Sequence, residues 1–465
     1  MQKSRSLFRC RPRPDAKFLT FYRISFFSYT YIMYDKNLAA EFPPMGWNSY
    51  DYYNVSVNEA QIRANAYYMS KNLKQYGYEY IVVDIQWSDP DAGRDVKKYQ
   101  YIPFQKFCID EYSRQIPAVN RFPTSVNNNG FAPLASYIHS LGLKFGIHIM
   151  RGIPRFACHE HRQILTHDGT FVSADQIADP YSISRWNPDM YGVNAEAKYA
   201  QDYYDSLFEL YASWGVDFVK VDDICNTNMY PHNPYSAEKE IELIHKAIEN
   251  CGRPMVLSLS PGPAPVEKAW HLKRYANMWR ITDDFWDSWP LLKNMFYRCE
   301  MWHTHSEKGC WPDCDMLPLG VIGHGFEDER KTNFSFDETK TMMTLWCIFR
   351  SPLMIGSDLP LLDSKTLKLL TNKDILSLSK LPSQAKLVFK NDEKQIWQNG
   401  KNIAIFNLSE KKLHTDFSDI REILENNNYA EESKLYDLWK QKEIGIASRF
   451  YESLNKHSVI CVKIL

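Results

Sequence analysis

The sequence predicts a (β/α)8 barrel followed by a small antiparallel β-sandwich. Three observations carry that reading. From about residue 40 to 380, short apolar runs alternate with longer amphipathic ones, the pattern of strands and helices around a parallel sheet. The apolar runs number eight, the count that a closed barrel requires. After about residue 383 the texture changes to short alternating runs (AKLVFK, KQIWQ, IAIFNLS, KLYDLW, SVICVKIL) separated by polar turns, which reads as antiparallel strands. An open doubly wound sheet is the competing architecture, but no Gly-rich turn follows the first strand as a dinucleotide site there would need.

In chain order, the expected strands lie in PMGWNSY, YEYIVVDIQW, LKFGIHIM, VDFVKVDDI, PMVLSLS, MWRITDD, a short stretch near CDMLPLG, and TLWCIFRSPLMIG. Helical patterns such as NEAQIRANAYYMSKNLKQYG and AEAKYAQDYYDSLFELYASWG separate several of them, each ending at a Gly. Within the C-terminal part, REILENNNYAEESK reads as a polar loop. Residues 1–32 are basic, then aromatic and hydroxyl-rich, with Arg23 inside the apolar run. They lack the uninterrupted apolar segment and small-residue cleavage site of a signal peptide, and Met33 opens a more ordinary sequence. The expected organisation is an extension over 1–32, either disordered or upstream of a start at Met33, a barrel over 33–383 and a sandwich over 384–465.

Composition narrows the function classes. With 44% apolar and 24% charged residues in 465, the chain has the balance of a globular protein, which excludes global disorder. Lys and Arg total 55 against 56 Asp and Glu, so no global field draws it to nucleic acid or an anionic membrane. No apolar run is long enough for a membrane span. The 10 Cys are scattered; Cys310 and Cys314 alone are close, a weak zinc signal. That usage fits a reducing compartment, hence a cytoplasmic protein, whereas a leader role for residues 1–32 would make it secreted. Aromatics reach 14%. Their flat faces suit stacking on sugar rings, although a large aromatic core accounts for them more simply.

Polar residues interrupt the apolar runs at their C-terminal ends: Asp84, His148, Asp222, Ser260 and Asp284. In a barrel that end is the rim where the βα loops build the site. Several carboxylates converge there without metal-type His pairing. Glycoside cleavage needs an acid for the leaving oxygen and a second carboxylate at the anomeric carbon. Asp222 follows Lys220, whose charge favours an ionised nucleophile. Asp284 lies among Asp283, Trp286, Asp287 and Trp289, and aromatic walls with neighbouring carboxylates favour the neutral form of a general acid.

The runs PPMGWNSYDYY, VVDIQW, LKFGIHI, WGVDFVKVDD, WRITDDFWDSW, CWPDCDML and RSPLMIGSDL together resemble glycoside hydrolase family 27, in order and spacing from about residue 43 to 360. The resemblance implies a retaining glycosidase with an Asp nucleophile at Asp222 and an Asp acid/base at Asp284. It implies that Lys220 and Arg280 bind sugar hydroxyls, that Asp84 binds the sugar rim, and that Trp47, Tyr50 and Trp87 form aromatic walls. Asp315 and Met316 match the loop that closes the pocket, and His148 stands where the family commonly has Tyr. A bridge between Cys158 and Cys225 would echo one in the family. No metal or cofactor is implied, and the partner is a small-molecule or oligosaccharide substrate.

Four departures from the family pattern bear on the sugar. Ile85 replaces the second Asp of a strand-two pair, Ser260 replaces a Glu that contacts the 2-position, and Tyr50 replaces a Trp. Asp223 and Ile224 place Cys225 one residue late, which leaves Asp223 as a rival to Asp222. β-L-Arabinopyranose is galactose without its hydroxymethyl group, so Ile85 suits it, whereas Ser260 leaves room for a 2-acetamido group. The family's majority activity makes terminal α-D-galactose the expected product, with β-L-arabinopyranosidase and α-N-acetylgalactosaminidase as alternatives. Retention of Asp222 and Asp284 argues against an inactive carbohydrate-binding barrel.

Overall fold

The computed structural model describes residues 35–93, 104–227 and 232–465, so the expected extension over 1–32 lies outside it. Eight strands form one sheet: β1 (Met45–Asn48), β2 (Tyr80–Val83), β3 (Lys144–Met150), β4 (Phe218–Asp222), β5 (Val256–Leu259), β6 (Met278–Arg280), β7 (Trp311–Asp313) and β8 (Leu353–Ile355). Their order is β7-β6-β5-β4-β3-β2-β1-β8, with every pairing parallel. The circuit closes through Leu317, just past β7. Its amide donates to Met354 O (2.8 Å) and its carbonyl accepts from Gly356 N (3.1 Å).

Tyr80, Val82, Phe218, Val256, Met278, Trp311 and Met354 meet in one apolar cluster. Residues from six different strands can do so only inside a closed barrel. This explains why the strands read as near-continuous apolar runs: a parallel sheet is covered on both faces. β1 and β2 approach so closely that a Cβ on Gly46 would lie 2.3 Å from the Tyr80 carbonyl oxygen.

The main helix after each strand is, in order, α1 (Glu59–Asn72), α2 (Ala132–Ser140), α3 (Ala200–Trp214), α4 (Glu238–Asn250), α5 (Ala269–Tyr275), α6 (Trp289–Trp302), α7 (Phe336–Phe349) and α8 (Ser364–Leu370). α1 starts on a capping box of Asn58 and Gln61. α3 stops at Gly215, whose φ of 83° suits a residue without Cβ.

Two stretches differ from expectation here. TLWCIF belongs to α7, which Ser335 and Glu338 cap, and only Leu353–Ile355 of the longer run is strand. α7 is buried without a break from Thr341 to Phe349, and an apolar run buried all round carries no period that separates helix from strand. The seventh strand is Trp311–Asp313, just before CDMLPLG.

The C-terminal part has a sheet of six antiparallel strands: β9 (Lys386–Lys390), β10 (Lys394–Asn399), β11 (Asn402–Asn407), β13 (Lys434–Asp437), β14 (Lys442–Ile446) and β16 (Val459–Ile464). A two-stranded ladder, β12 (Leu413–Asp416) with β15 (Tyr451–Leu454), forms a second sheet. The expected loop REILENNNYAEESK instead begins in a helix, α9 (Phe417–Asn426), capped by Asp416. Its Ile420, Ile423 and Leu424 pack on Ile403, Ile405, Leu435 and Val462 of the large sheet. Barrel and C-terminal part belong to one compact unit, Asp35–Leu465. Trp289 at the start of α6 stacks on His457 with ring centroids 3.5 Å apart, and Thr341 of α7 donates to His457 O (2.7 Å). Among the described residues, no helix is long and apolar enough to cross a membrane.

Candidate active site

The C-terminal ends of the strands open on a cavity of about 250 Å³. β4 delivers Lys220 and Asp222, β3 delivers His148, and Asp84 and Ile85 follow β2 directly. β6 ends on Arg280, and the loop beyond it brings Asp283, Asp284, Phe285 and Trp286. Asp315 and Met316 come from the turn after β7, and Tyr50 and Asp51 from the short helix after β1.

Asp222 is held at both oxygens. His148 Nε2 donates to Oδ2 (3.0 Å), and the Asp223 amide donates to Oδ1 (2.8 Å). Burial alone would raise its pKa, but these two hydrogen bonds and the Lys220 charge outweigh it and hold the carboxyl below its ordinary value. Lys220 Nζ donates to Asp84 Oδ2 (3.0 Å), which also accepts from Asn48 (2.6 Å). Asp84 Oδ1 accepts from the Ile85 amide (2.9 Å). Against the penalty of burial, Lys220 and these donors keep Asp84 strongly ionised. The lysine is in turn kept protonated, because the charges of Asp84 and Asp222 outweigh its burial.

On the far strands, Arg280 bridges two carboxylates, Asp315 Oδ2 at 2.7 Å and Asp284 Oδ1 at 3.2 Å. Asp315 also accepts from the Phe285 amide (2.8 Å). Burial and the neighbouring Asp284 nevertheless push its pKa up against the pull of Arg280. Asp284 is not enclosed by aromatics, as expected from its neighbours in sequence. Its side chain is 60% exposed, because Trp289 turns away to His457 and Asp287 pairs with Arg330 (2.9 Å).

Ten of the 13 expected site residues therefore line one cavity: Tyr50, Asp84, Ile85, His148, Lys220, Asp222, Arg280, Asp284, Asp315 and Met316. Trp47, Trp87 and Ser260 do not. The Trp47 indole is buried and donates to Ser357 O (2.7 Å). The Trp87 indole donates to His148 O (2.6 Å) and packs on Phe131 and Trp214, so it supports His148 from behind. Ser260 lines a smaller crevice with Ser258 and Asp313, while the next residue, Pro261, forms the cavity wall.

Asp51 was not foreseen. It lines the cavity, is 2% exposed, and its Oδ2 has no hydrogen-bond partner. A Cβ on Gly356 would meet that oxygen at 2.0 Å. Burial, with Asp315 beside it, pushes its pKa well above the carboxylate range. Asp223, the rival to Asp222, does not line the cavity and is paired with Arg151 (2.9 Å). Cys158 and Cys225 are both free thiols, so the bridge that would echo the family's is not formed.

Residues 189–380 match a family model described as alpha galactosidase A. α-Galactosidase 2 of Arabidopsis thaliana is 27% identical over 358 residues, 76% of this chain and 71% of that one. A family 27 β-L-arabinopyranosidase from Geobacillus stearothermophilus is 48% identical, with a TM-score of 0.85 over 92% of this chain and 97% of that one. The chain belongs to glycoside hydrolase family 27. A variant of the Geobacillus enzyme has been solved with arabinose. A putative α-N-acetylgalactosaminidase from Bacillus halodurans is 46% identical, with a TM-score of 0.77 over 91% and 97% of the two chains. This family 27 protein is thus a glycosidase, and its relatives act on differing terminal sugars.

Proposed function

We propose that this family 27 protein is a retaining β-L-arabinopyranosidase. Asp222 attacks the anomeric carbon while Asp284 protonates the departing glycosidic oxygen. Asp284 then takes a proton from the water that releases the sugar from Asp222. A carboxylate ionised by its neighbours suits the first role. An exposed one, in reach of both leaving group and water, suits the second.

The corner at Ile85 carries the choice of sugar. Ile85 is 3% exposed on the cavity wall, backed by Val55, Phe107, Met150, Phe156 and Met190. A hydroxymethyl group directed there meets no acceptor, and an unpaired buried hydroxyl costs about 1–3 kcal/mol. Arabinopyranose places only a ring CH2 against the same surface. The arabinose complex of the 48% identical Geobacillus enzyme supports this reading over the α-galactoside expectation. Pro261 rather than Ser260 lines the cavity, which speaks against the room for an acetamido group that Ser260 implied. The test is a panel of p-nitrophenyl glycosides with purified protein. kcat/KM on the β-L-arabinopyranoside is expected to exceed that on the α-D-galactoside by about tenfold or more. An equal or higher value on the galactoside, or on the α-N-acetylgalactosaminide, overturns the proposal.

A further inference from the structure

Behind Asp222, outside the sugar cavity, lies a buried ionic cluster that the reaction does not use. Arg151, the residue after β3, is 3% exposed, Asp223 1% and Glu240 of α4 4%, and none of the three lines the cavity. Arg151 Nη2 donates to Asp223 Oδ2 (2.9 Å) and its Nε donates to the Asp223 carbonyl. Nη1 reaches Ser182 Oγ (2.9 Å) and Glu240 Oε2 (3.3 Å). Glu240 is anchored in turn by the Val193 amide (3.1 Å) and the Tyr204 hydroxyl. The Arg151 amide donates to the Asp222 carbonyl (3.1 Å), so one residue grips both members of the Asp222–Asp223 pair.

Asp223 has φ of 56°, a left-handed conformation that costs energy for any residue with a Cβ. That conformation accompanies the bond from the Asp223 amide to Asp222 Oδ1. With Cys225 a free thiol, no disulfide holds the turn. We propose that Arg151, braced on Glu240, is a positioning residue: it holds Asp223 left-handed so that the Asp223 amide orients the Asp222 carboxylate for attack. The proposal rests on Asp222 being the nucleophile.

Two substitutions at residue 223 separate backbone geometry from loss of charge. Asp223→Ala and Asp223→Gly both remove the carboxylate and keep the carbonyl that Arg151 holds. Glycine adopts positive φ freely and alanine does not. Asp223→Gly is expected to keep kcat within about threefold of the parent, whereas Asp223→Ala loses about 10- to 100-fold, the scale of a misplacement near 1 Å. KM should change by less than about threefold in both, since neither residue touches sugar. Arg151→Met is expected to lose kcat similarly, and Arg151→Met with Asp223→Gly to regain most of it. Folding is checked by thermal melting; if Arg151→Met does not fold, the pair at 223 decides alone. Equal kcat in Asp223→Ala and Asp223→Gly overturns the proposal, as does a loss carried by KM. Asp222→Ala, assayed on the same substrate, tests the underlying assignment separately: full activity there removes the nucleophile itself.

Discussion

The Asp284 carboxylate pairs with Arg280 while most of it lies in water, an arrangement that lets it give a proton to a leaving group and take one from solvent. Asp284→Ala should therefore slow substrates with poor leaving groups by about 10²–10⁴-fold, with a much smaller loss on activated aryl glycosides. Azide should restore part of the rate, because a small anion does not need the missing base. Equal losses on both substrate types without rescue would remove Asp284 from the acid/base role. At Ile85 the expected change is in preference. Ile85→Asp supplies an acceptor worth about 0.5–1.5 kcal/mol, more when charged, so the galactoside-to-arabinopyranoside ratio of kcat/KM should rise roughly 3- to 30-fold. If both activities drop together in a folded variant, Ile85 only packs the rim. The ionised residues of the site were readable because a charge closing an apolar run is costly to bury unless something pairs with it or reacts at it. Trp47 and Trp87 were misplaced because an aromatic near a rim can point outward to sugar or inward to the core, and spacing does not distinguish the two. Asp51 was invisible for a different reason: it sits on a four-residue helix with no period of its own.

At the scale of elements, the barrel strands were legible because burial on both faces leaves long apolar runs between amphipathic helices. The same rule failed at α7, an apolar helix between barrel and C-terminal sheet. It failed again at α9, where Ile420, Ile423 and Leu424 supply a helical stripe diluted by the Asn run that follows. Within the barrel, β1 lies close against β2. A side chain on Gly46 would collide with the Tyr80 backbone, which cannot rotate away. Gly46→Ala should destabilise the fold by about 1–3 kcal/mol or more, read as a lower midpoint of denaturant unfolding at unchanged slope. A midpoint within error of the parent would show that the strands can separate at no cost.

Across the whole molecule, buried acids set the response to pH. Burial pushes the Asp189 carboxyl up to about 8. The folded chain thus keeps a proton there that the unfolded chain releases near pH 4. Where the native state binds more protons, stability falls as pH rises. Between pH 6.5 and 8 the fold should lose about 1 kcal/mol per pH unit from this group, seen as a falling melting temperature, and Asp189→Asn should flatten the slope. A melting temperature that climbs over this interval would contradict the assignment. The seam between β7 and β8 has a further consequence. It is laced by two backbone hydrogen bonds at Leu317, and Asp315 and Met316, which line the cavity, lie immediately before them. Whatever occupies the cavity therefore also braces the weakest join of the barrel. In amide hydrogen exchange, Leu317 and Gly356 should open more readily than the amides of β3 and β4, and saturation with a competitive sugar should slow both by the factor that ligand occupancy dictates.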